Sequence, residues 1–239
     1  MIKREQYMSR IRPFIGNELI KVLTGIRRSG KSVMLDLIKA ELLESGINDV
    51  QFISFNFESM SNAYLCTAEA LHNEVIQRAK LITGKIYLFF DEIQEVENWE
   101  KCINSFRIEL DCDIYITGSN AKLLSGELAT YLAGRYVEFV IYPFSYGEFI
   151  ELYNSVFPEA DSAECFRAYL TTGGMPYLSN LRYAEEPSRQ YLEDLYNSVV
   201  LKDIVKRNNV RDIDLLERII TYITANIGTP FSATSITKF

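Results

Sequence analysis

The sequence predicts an α/β fold in which a doubly wound parallel sheet is followed by a smaller helical domain. Three observations lead to this prediction. Short apolar runs alternate with helical segments over residues 19–142, as repeated strand–helix–strand units do. One run, residues 85–90, has almost no polar interruption, which suits a parallel strand buried on both faces. After Pro143 only helical spacing remains.

Taken in order, the segments give five strands joined by four helices. Strands are expected at residues 19–24, 50–57, 85–90, 113–117 and 135–142. Helices are expected between them at residues 32–45, 67–83, 99–110 and 122–133. The second half is expected to hold helices at residues 145–153, 162–171, 187–206 and 212–227, with Ser232 as the N-cap of one more.

Charge and cysteine usage narrow the class of protein. The net charge of −7 argues against non-specific nucleic-acid binding as the main role, because that binding neutralises phosphates with Lys and Arg. The four cysteines form no CxxC pair and His72 is the single histidine, so no zinc set is expected and reduced thiols in a cytoplasmic protein are the simplest interpretation. The apolar runs fall far short of the roughly 20 residues that a membrane span needs, so no membrane anchor is expected.

A glycine-rich loop at residues 25–32, Gly-Ile-Arg-Arg-Ser-Gly-Lys-Ser, lies between a predicted strand and a predicted helix. This context is what a phosphate-binding loop requires, since glycines let consecutive N–H groups converge on phosphate at the positive end of a helix. Lys31 is expected to reach the β- and γ-phosphates, and Ser32 to bind Mg²⁺. The nucleotide-binding residues are expected to be Gly25, Ile26, Arg27, Arg28, Ser29, Gly30, Lys31, Ser32 and Val33. For Arg27 and Arg28, a solvated loop tip is the alternative.

An acidic pair, Asp91 and Glu92, follows the apolar run that ends at Phe90. An apolar strand that delivers carboxylates beside the phosphates has the form of a Walker B strand. Asp91 is expected to hold Mg²⁺, mostly through water, and Glu92 to orient and deprotonate the attacking water. The base-reading and Asp-x-x-Gly motifs of GTPases are absent, which favours ATP over GTP.

The fourth strand ends in Thr-Gly-Ser-Asn, at residues 117–120. Ser119 or Asn120 is expected to contact the γ-phosphate or position water, and the pattern does not choose between them. A plain β-turn explains the same residues.

Together these stretches resemble the AAA-type ATPases of the ASCE class, and within them a prokaryotic family that pairs such a core with a C-terminal domain of unknown function. The resemblance covers most of residues 10–180, through residues 22–32, 91–94, 117–121, 134–135, 143–149 and 173–176. The Walker motifs are shared by very many proteins, whereas the Pro-Phe-Ser element at residue 143 and the Gly-Gly-Met-Pro element at residue 173 point to this smaller family.

The resemblance implies a P-loop NTPase sheet in the order 5-1-4-3-2, a helical lid, and ATP hydrolysis that drives conformational change. It also implies that Arg135 is an arginine finger supplied to a neighbouring subunit, which requires a homo-oligomer; a local ion pair is the alternative. The expected division is an N-terminal segment (1–17), an ATPase core (18–144), a helical lid (145–207) and the incomplete start of a winged-helix-like segment (208–239). The domain of unknown function is then expected to begin beyond residue 239.

The leading functional prediction is Mg²⁺-dependent ATP hydrolysis. The first alternative is a slow-turnover nucleotide switch. A second is a DNA-associated ATPase, for which the C-terminal region would contact DNA through Lys202, Lys206, Arg207 and Arg211; interleaved aspartates favour a solvated helix face instead. A protein client of the same region is the alternative to DNA. A small-molecule kinase is a weaker alternative, because the Asp-Glu pair suits activation of water.

Overall fold

Five parallel strands form one sheet in the order β2-β3-β4-β1-β5. The computed structural model describes residues 2–118, 132–199, 204–205, 210–230 and 232. The strands are β1 (Ile20–Thr24), β2 (Phe52–Asn56), β3 (Ile86–Asp91), β4 (Cys112–Thr117) and β5 (Tyr136–Val140). Counted from the other edge, this is the predicted order 5-1-4-3-2, so the predicted fold class is confirmed.

Eight helices of seven or more residues occur in the described part of the chain. They are α1 (Glu5–Ile11), α2 (Lys31–Glu44), α3 (Ala68–Ala79), α4 (Trp99–Glu109), α5 (Tyr146–Val156), α6 (Ser162–Thr172), α7 (Glu185–Ser198) and α8 (Ile213–Ala225). The first of them, α1, was not predicted. The helix predicted at residues 122–133 lies almost wholly outside the described residues, and so does the one predicted after Ser232.

Strand β2 begins two residues later than predicted. Asn48 is the N-cap of a short 3-10 helix over Asp49–Gln51. Its side chain accepts a hydrogen bond from the Val50 N–H, and its own N–H donates to the Gln51 side chain. This local pairing satisfies backbone groups that a longer strand would have paired with β3.

The sheet is covered on both faces by apolar packing. On one face, β-strand residues such as Val22, Leu88 and Ile114 pack with residues of α3 and α4. On the other, Leu23 and Phe89 pack with residues of α1 and α2. Because both faces are buried, β1, β3 and β4 are buried along their whole length. Because all five strands are parallel, their carboxyl ends lie at one edge of the sheet, where the candidate site is found.

Residues 144–183 form a separate apolar group, which we call the helical cluster. Phe149, Tyr153 and Cys165 are its buried centre. Its chain closes on itself where the Phe144 N–H donates to the Gly174 carbonyl at 2.7 Å. A Cβ on Gly174 would lie 2.1 Å from the Phe144 carbonyl oxygen, so only glycine allows this approach. The Pro-Phe-Ser and Gly-Gly-Met-Pro elements thus contact each other directly.

By internal packing the chain divides into two compact units, residues 1–189 and 190–239. The second contains α8, whose first turn is capped by the Asp212 side chain through a 2.8 Å bond from the Leu215 N–H. Among the described helices, none combines the length and the apolar character needed to cross a lipid bilayer.

Candidate functional site

The predicted phosphate loop connects β1 to α2 in the structure. Gly25 has φ +145°, and a Cβ there would lie 2.2 Å from the Ile141 carbonyl oxygen, so this position requires glycine. Gly30 has φ +97° and precedes the first residue of α2. Arg28 also has a positive φ, 65°, and its side chain is exposed. Arg28 and Gly30 thus have positive φ angles just before α2. A backbone of this form turns consecutive N–H groups toward a common centre.

The remaining loop residues differ in exposure. Ile26 and Val33 are 48% and 39% exposed, and Arg27 lies 3.8 Å from the Glu58 carboxylate. Ser29 is fully buried, and its hydroxyl has no hydrogen-bond partner among the described residues. A buried hydroxyl without a partner is costly, and an anion seated in the loop would supply an acceptor.

Lys31, the first residue of α2, is 5% exposed. Its ammonium group donates to the carbonyls of Gly25 and Ile26 at 3.3 Å each, and it lies 3.7 Å from the Glu92 carboxylate. Lys31 and Glu92 were predicted to act on the same ligand, and the structure places them next to each other. Ser32 follows in the first turn of α2 with its side chain exposed.

Asp91, the last residue of β3, is buried, and each of its carboxylate oxygens accepts a hydrogen bond. Asn56, at the end of β2, donates to one oxygen at 2.9 Å, and the Thr117 hydroxyl, at the end of β4, donates to the other. A carboxylate oxygen has a second lone pair, so both oxygens keep acceptor capacity toward water around a cation.

Glu92 has φ 54° and ψ 50°, a conformation that costs a non-glycine residue energy and that clusters at functional sites. Its N–H donates to the Thr117 hydroxyl at 2.9 Å, and Gln94 donates to one of its carboxylate oxygens. Thr117 thus bridges the Asp91 carboxylate and the Glu92 backbone, and it holds the end of β3 in position.

Arg135 does not join this group. It immediately precedes β5, and its carbonyl accepts a bond from the Ile20 N–H at the beginning of β1. Its guanidinium donates to the Asn104 side chain at 2.8 Å. Since β1 has five residues, about 16 Å separate this edge of the sheet from the phosphate loop.

Ser119 and Asn120 lie outside the described residues, as do Lys202, Lys206 and Arg207. Of the basic residues predicted for a nucleic-acid contact, the structure describes only Arg211.

Four residues of the site were not predicted. Asn56 and Thr117 follow from a rule that could have been applied, because both end strands of the same parallel sheet and therefore meet Asp91. Gln94 lies two residues after Glu92 and could have been suspected. Arg4, whose guanidinium donates to the Ser29 carbonyl of the loop at 3.0 Å, has no sequence signal, because this contact depends on the path of the N-terminal segment.

The donor set fits a phosphate chain with a hard divalent cation. A buried lysine, loop N–H groups at a helix N-terminus and an unsatisfied serine hydroxyl suit phosphate oxygens. Ser32 and Asp91 offer the oxygen ligands that Mg²⁺ prefers.

Two protein families match the chain. The model described as "AAA domain" matches residues 17–150, and one described as a domain of unknown function matches residues 163–239. The expectation that a domain of unknown function begins only after residue 239 is therefore wrong. That prediction assigned residues 145–239 to a lid and a winged helix and left no length for another domain.

The chain is also similar in sequence to curated proteins of other organisms. An uncharacterized protein of Haemophilus influenzae is 38% identical over 229 residues, which cover 95% of this chain and 56% of that protein. The chain spans about half the length of the curated relatives it matches.

Two solved structures share the fold. AMPPCP-bound DnaA from Aquifex aeolicus is 13% identical with a TM-score of 0.50, covering 95% of this chain and 69% of that chain. A mutant of RuvB from Thermotoga maritima is 15% identical with a TM-score of 0.52, covering 99% of this chain and 79% of that chain. With a family model matched over more than half of its length, this chain belongs to the AAA domain family.

Proposed function

We propose that this chain binds ATP with Mg²⁺ at residues 25–33 and hydrolyses it, coupling turnover to conformational change. The observation that carries the proposal is the approach of Lys31 to Glu92, 3.7 Å apart at the carboxyl edge of the sheet, beside the restrained Asp91. A buried cation and two carboxylates at one phosphate-sized loop suit phosphoryl transfer to water.

Each residue has a distinct role in this proposal. Lys31 leaves the Gly25 and Ile26 carbonyls to bind the β- and γ-phosphates, and the loop N–H groups bind the same oxygens. Glu92 then orients the attacking water and accepts its proton. Ser32 and Asp91 would hold Mg²⁺, which neutralises charge on the phosphate oxygens. ATP in place of other nucleotides is inferred from the family and from the AMPPCP bound to the similar DnaA structure.

The test replaces Glu92 by glutamine, which keeps the size of the side chain and removes its basicity. We expect kcat for ATP hydrolysis to fall by about 10²–10⁴-fold while the Kd for ATP stays within a few-fold of wild type. Lys31→Ala should instead lose ATP binding. Glu95→Gln is the matched control, because Glu95 is exposed on the same turn. Wild-type turnover in Glu92→Gln would refute the mechanism.

A slow-turnover nucleotide switch is the second candidate. It is favoured by the contacts of Glu92, whose carboxylate is engaged by Gln94 and lies near Lys31, so the proposed base is not free. Single-turnover and steady-state rates separate the two: a switch gives a slow chemical step at saturating ATP, whereas an ATPase gives repeated turnover.

Partners and domain boundaries are also proposals. We keep the boundaries at residues 18, 145 and 208, a homo-oligomer for the arginine finger, and a DNA or protein client bound through the C-terminal region. For DNA, the absence of any binding at low salt would refute the client proposal, because the phosphate contribution is largest there.

A further inference from the structure

Arg4 is a buried arginine outside the predicted site, with 2% of its side chain exposed. Its guanidinium donates hydrogen bonds to three different parts of the chain. Nη1 donates to the Ser29 carbonyl at 3.0 Å, Nη2 donates to the Tyr142 carbonyl at 2.8 Å, and Nε donates to the Glu148 carboxylate at 2.9 Å. One side chain thus joins the phosphate loop, the segment after β5 and the first turn of α5.

The contact with the loop acts on a single peptide group. In a trans peptide the C=O and N–H point in opposite directions, so a guanidinium that holds the Ser29 carbonyl also fixes the direction of the Gly30 N–H. Gly30 precedes Lys31 at the start of α2, where N–H groups bind anions. A cation on the carbonyl also polarises the peptide and makes its N–H a stronger donor.

The contact with the helical cluster acts through Glu148. Its carboxylate accepts bonds from the Ser145 N–H and hydroxyl at 2.9 and 3.0 Å, so it caps α5 while it binds Arg4. Burial alone would raise the pKa of Glu148, but the bonds from Arg4 and Ser145 outweigh it and the pKa is lowered. The Phe144 ring packs 5.0 Å from the same guanidinium, and Phe144 is bonded to Gly174.

An arginine is required for this arrangement. Its planar fork reaches three acceptors in different directions, whereas a lysine ammonium at the same site is a compact point charge on a flexible stem. Glu148 has 10% of its side chain exposed, so the pair is buried, and burying an ion pair is weak support for stability as such. A role in positioning the phosphate loop explains the buried Arg4–Glu148 pair better than a contribution to stability does.

We propose that Arg4 is a positioning residue of the phosphate loop: it presents the Gly30 N–H to phosphate and, through Glu148, transmits nucleotide binding to the helical cluster. The inference rests on the proposed function, since it requires a nucleotide in the loop. It assigns a role to the N-terminal segment, which the nucleotide site otherwise does not use.

The experiment measures the Kd for ATP by calorimetry and amide hydrogen exchange with and without ATP. We compare wild type, Arg4→Lys and Glu148→Gln. Arg12→Lys is the matched control, because Arg12 belongs to the same N-terminal segment and makes exposed ion pairs with Glu5 of α1 and Glu41 of α2. In wild type, ATP should slow exchange in both the loop and the helical cluster.

The two variants should separate the two halves of the role. Glu148→Gln keeps a capping side chain and the bond of Arg4 to Ser29, so ATP should bind within about twofold of wild type and protect the loop, while protection of the helical cluster is lost. Arg4→Lys should weaken ATP binding about tenfold, the size expected for a charged hydrogen bond, and should lose both protections. Arg12→Lys should behave as wild type.

Three results would overturn the inference: unchanged affinity in Arg4→Lys, retained protection of the cluster in Glu148→Gln, or an equal effect of Arg12→Lys. If Arg4→Lys does not fold, the uncharged pair Arg4→Gln with Glu148→Gln leaves no lone buried charge, and it must show the same loss of affinity. A wild-type protein that binds no ATP would instead refute the proposed function, before any variant is compared.

Discussion

Thr117 is the residue that links the Asp91 carboxylate to the backbone of Glu92. Its hydroxyl donates to the Asp91 carboxylate and accepts from the Glu92 N–H, so one buried oxygen links the proposed metal ligand to the backbone of the proposed base. The strained backbone of Glu92 is held in place by the same bond. A hydroxyl that both donates and accepts is needed here, which valine cannot supply.

Replacing Thr117 by valine keeps the shape of the side chain and removes both bonds. We expect kcat for ATP hydrolysis to fall by about 10- to 100-fold, as for partners that orient ligating carboxylates, with little change in KM. Steady-state kinetics over a range of ATP concentrations measure this split. Thr117→Ser keeps the hydroxyl and should stay close to wild type; an unchanged kcat in the valine variant would contradict the role.

Among individual residues, the sequence predicts the charged groups proposed to contact the nucleotide but not the residues that orient them. Lys31, Asp91 and Glu92 are identified by short patterns whose chemistry is fixed. Arg4 is not, because its contact with Ser29 spans 25 positions and depends on how α1 packs. Contacts of this kind are set by tertiary structure, which spacing in the sequence does not encode.

Among the secondary-structure elements, β1 and β4 share a buried ion pair near their amino ends. Lys21 and Asp113 are both fully buried and form a direct salt bridge. Asp113 also accepts bonds from the Gly16 N–H at 2.7 Å and the Tyr115 hydroxyl at 2.8 Å. Burial lowers the pKa of Lys21 although the charge of Asp113 opposes this change. The pair therefore ties the two central strands to the loop before β1.

Replacing Asp113 by asparagine leaves the Lys21 ammonium buried without a counter-charge. We expect the free energy of unfolding to fall by about 3–5 kcal/mol, measured by urea denaturation at neutral pH. Asp111→Asn is the control two residues away: Asp111 pairs with Lys85 at 2.7 Å but its side chain is 72% exposed, so the loss should be under about 1 kcal/mol. Equal losses of unfolding free energy in the two variants would show that the stabilisation by the Lys21–Asp113 pair does not depend on its burial.

Elements were predictable where the hydrophobic pattern is long and continuous, as in β3, whose six residues are all buried. The seven residues of α1 were missed because three buried side chains, Tyr7, Met8 and Ile11, are too few to establish a helical period against the polar residues around them. The start of β2 was predicted too early because Asn48 forms a local turn that competes with the strand.

For the whole molecule, the position of Arg135 limits how it can act. It lies at the edge of the sheet opposite to the phosphate loop of its own chain, about 16 Å away along β1. A guanidinium there cannot reach phosphate in the same site. The proposed arginine finger therefore requires a second copy of the chain in a head-to-tail arrangement, which presents Arg135 of one copy to the loop of the next.

A mixing experiment tests this arrangement. Arg135→Ala and Glu92→Gln should each hydrolyse ATP at well under a tenth of the wild-type rate, since one lacks the finger and the other the base. In an equimolar mixture, sites that combine an intact Glu92 with an intact Arg135 from the neighbour form in about one case in four, so about a quarter of wild-type activity should return.

Sedimentation velocity with ATP gives the matching measurement of assembly, and both variants should assemble as wild type does. Arg107→Ala serves as the control, because Arg107 is a half-buried arginine of α4 that donates to the Glu18 carbonyl near the same edge of the sheet. It should retain activity alone and add none to the mixture beyond its own. If the mixture of Arg135→Ala and Glu92→Gln recovers no activity while both assemble normally, Arg135 is not supplied to a neighbouring site, and the transition-state charge is stabilised by another group.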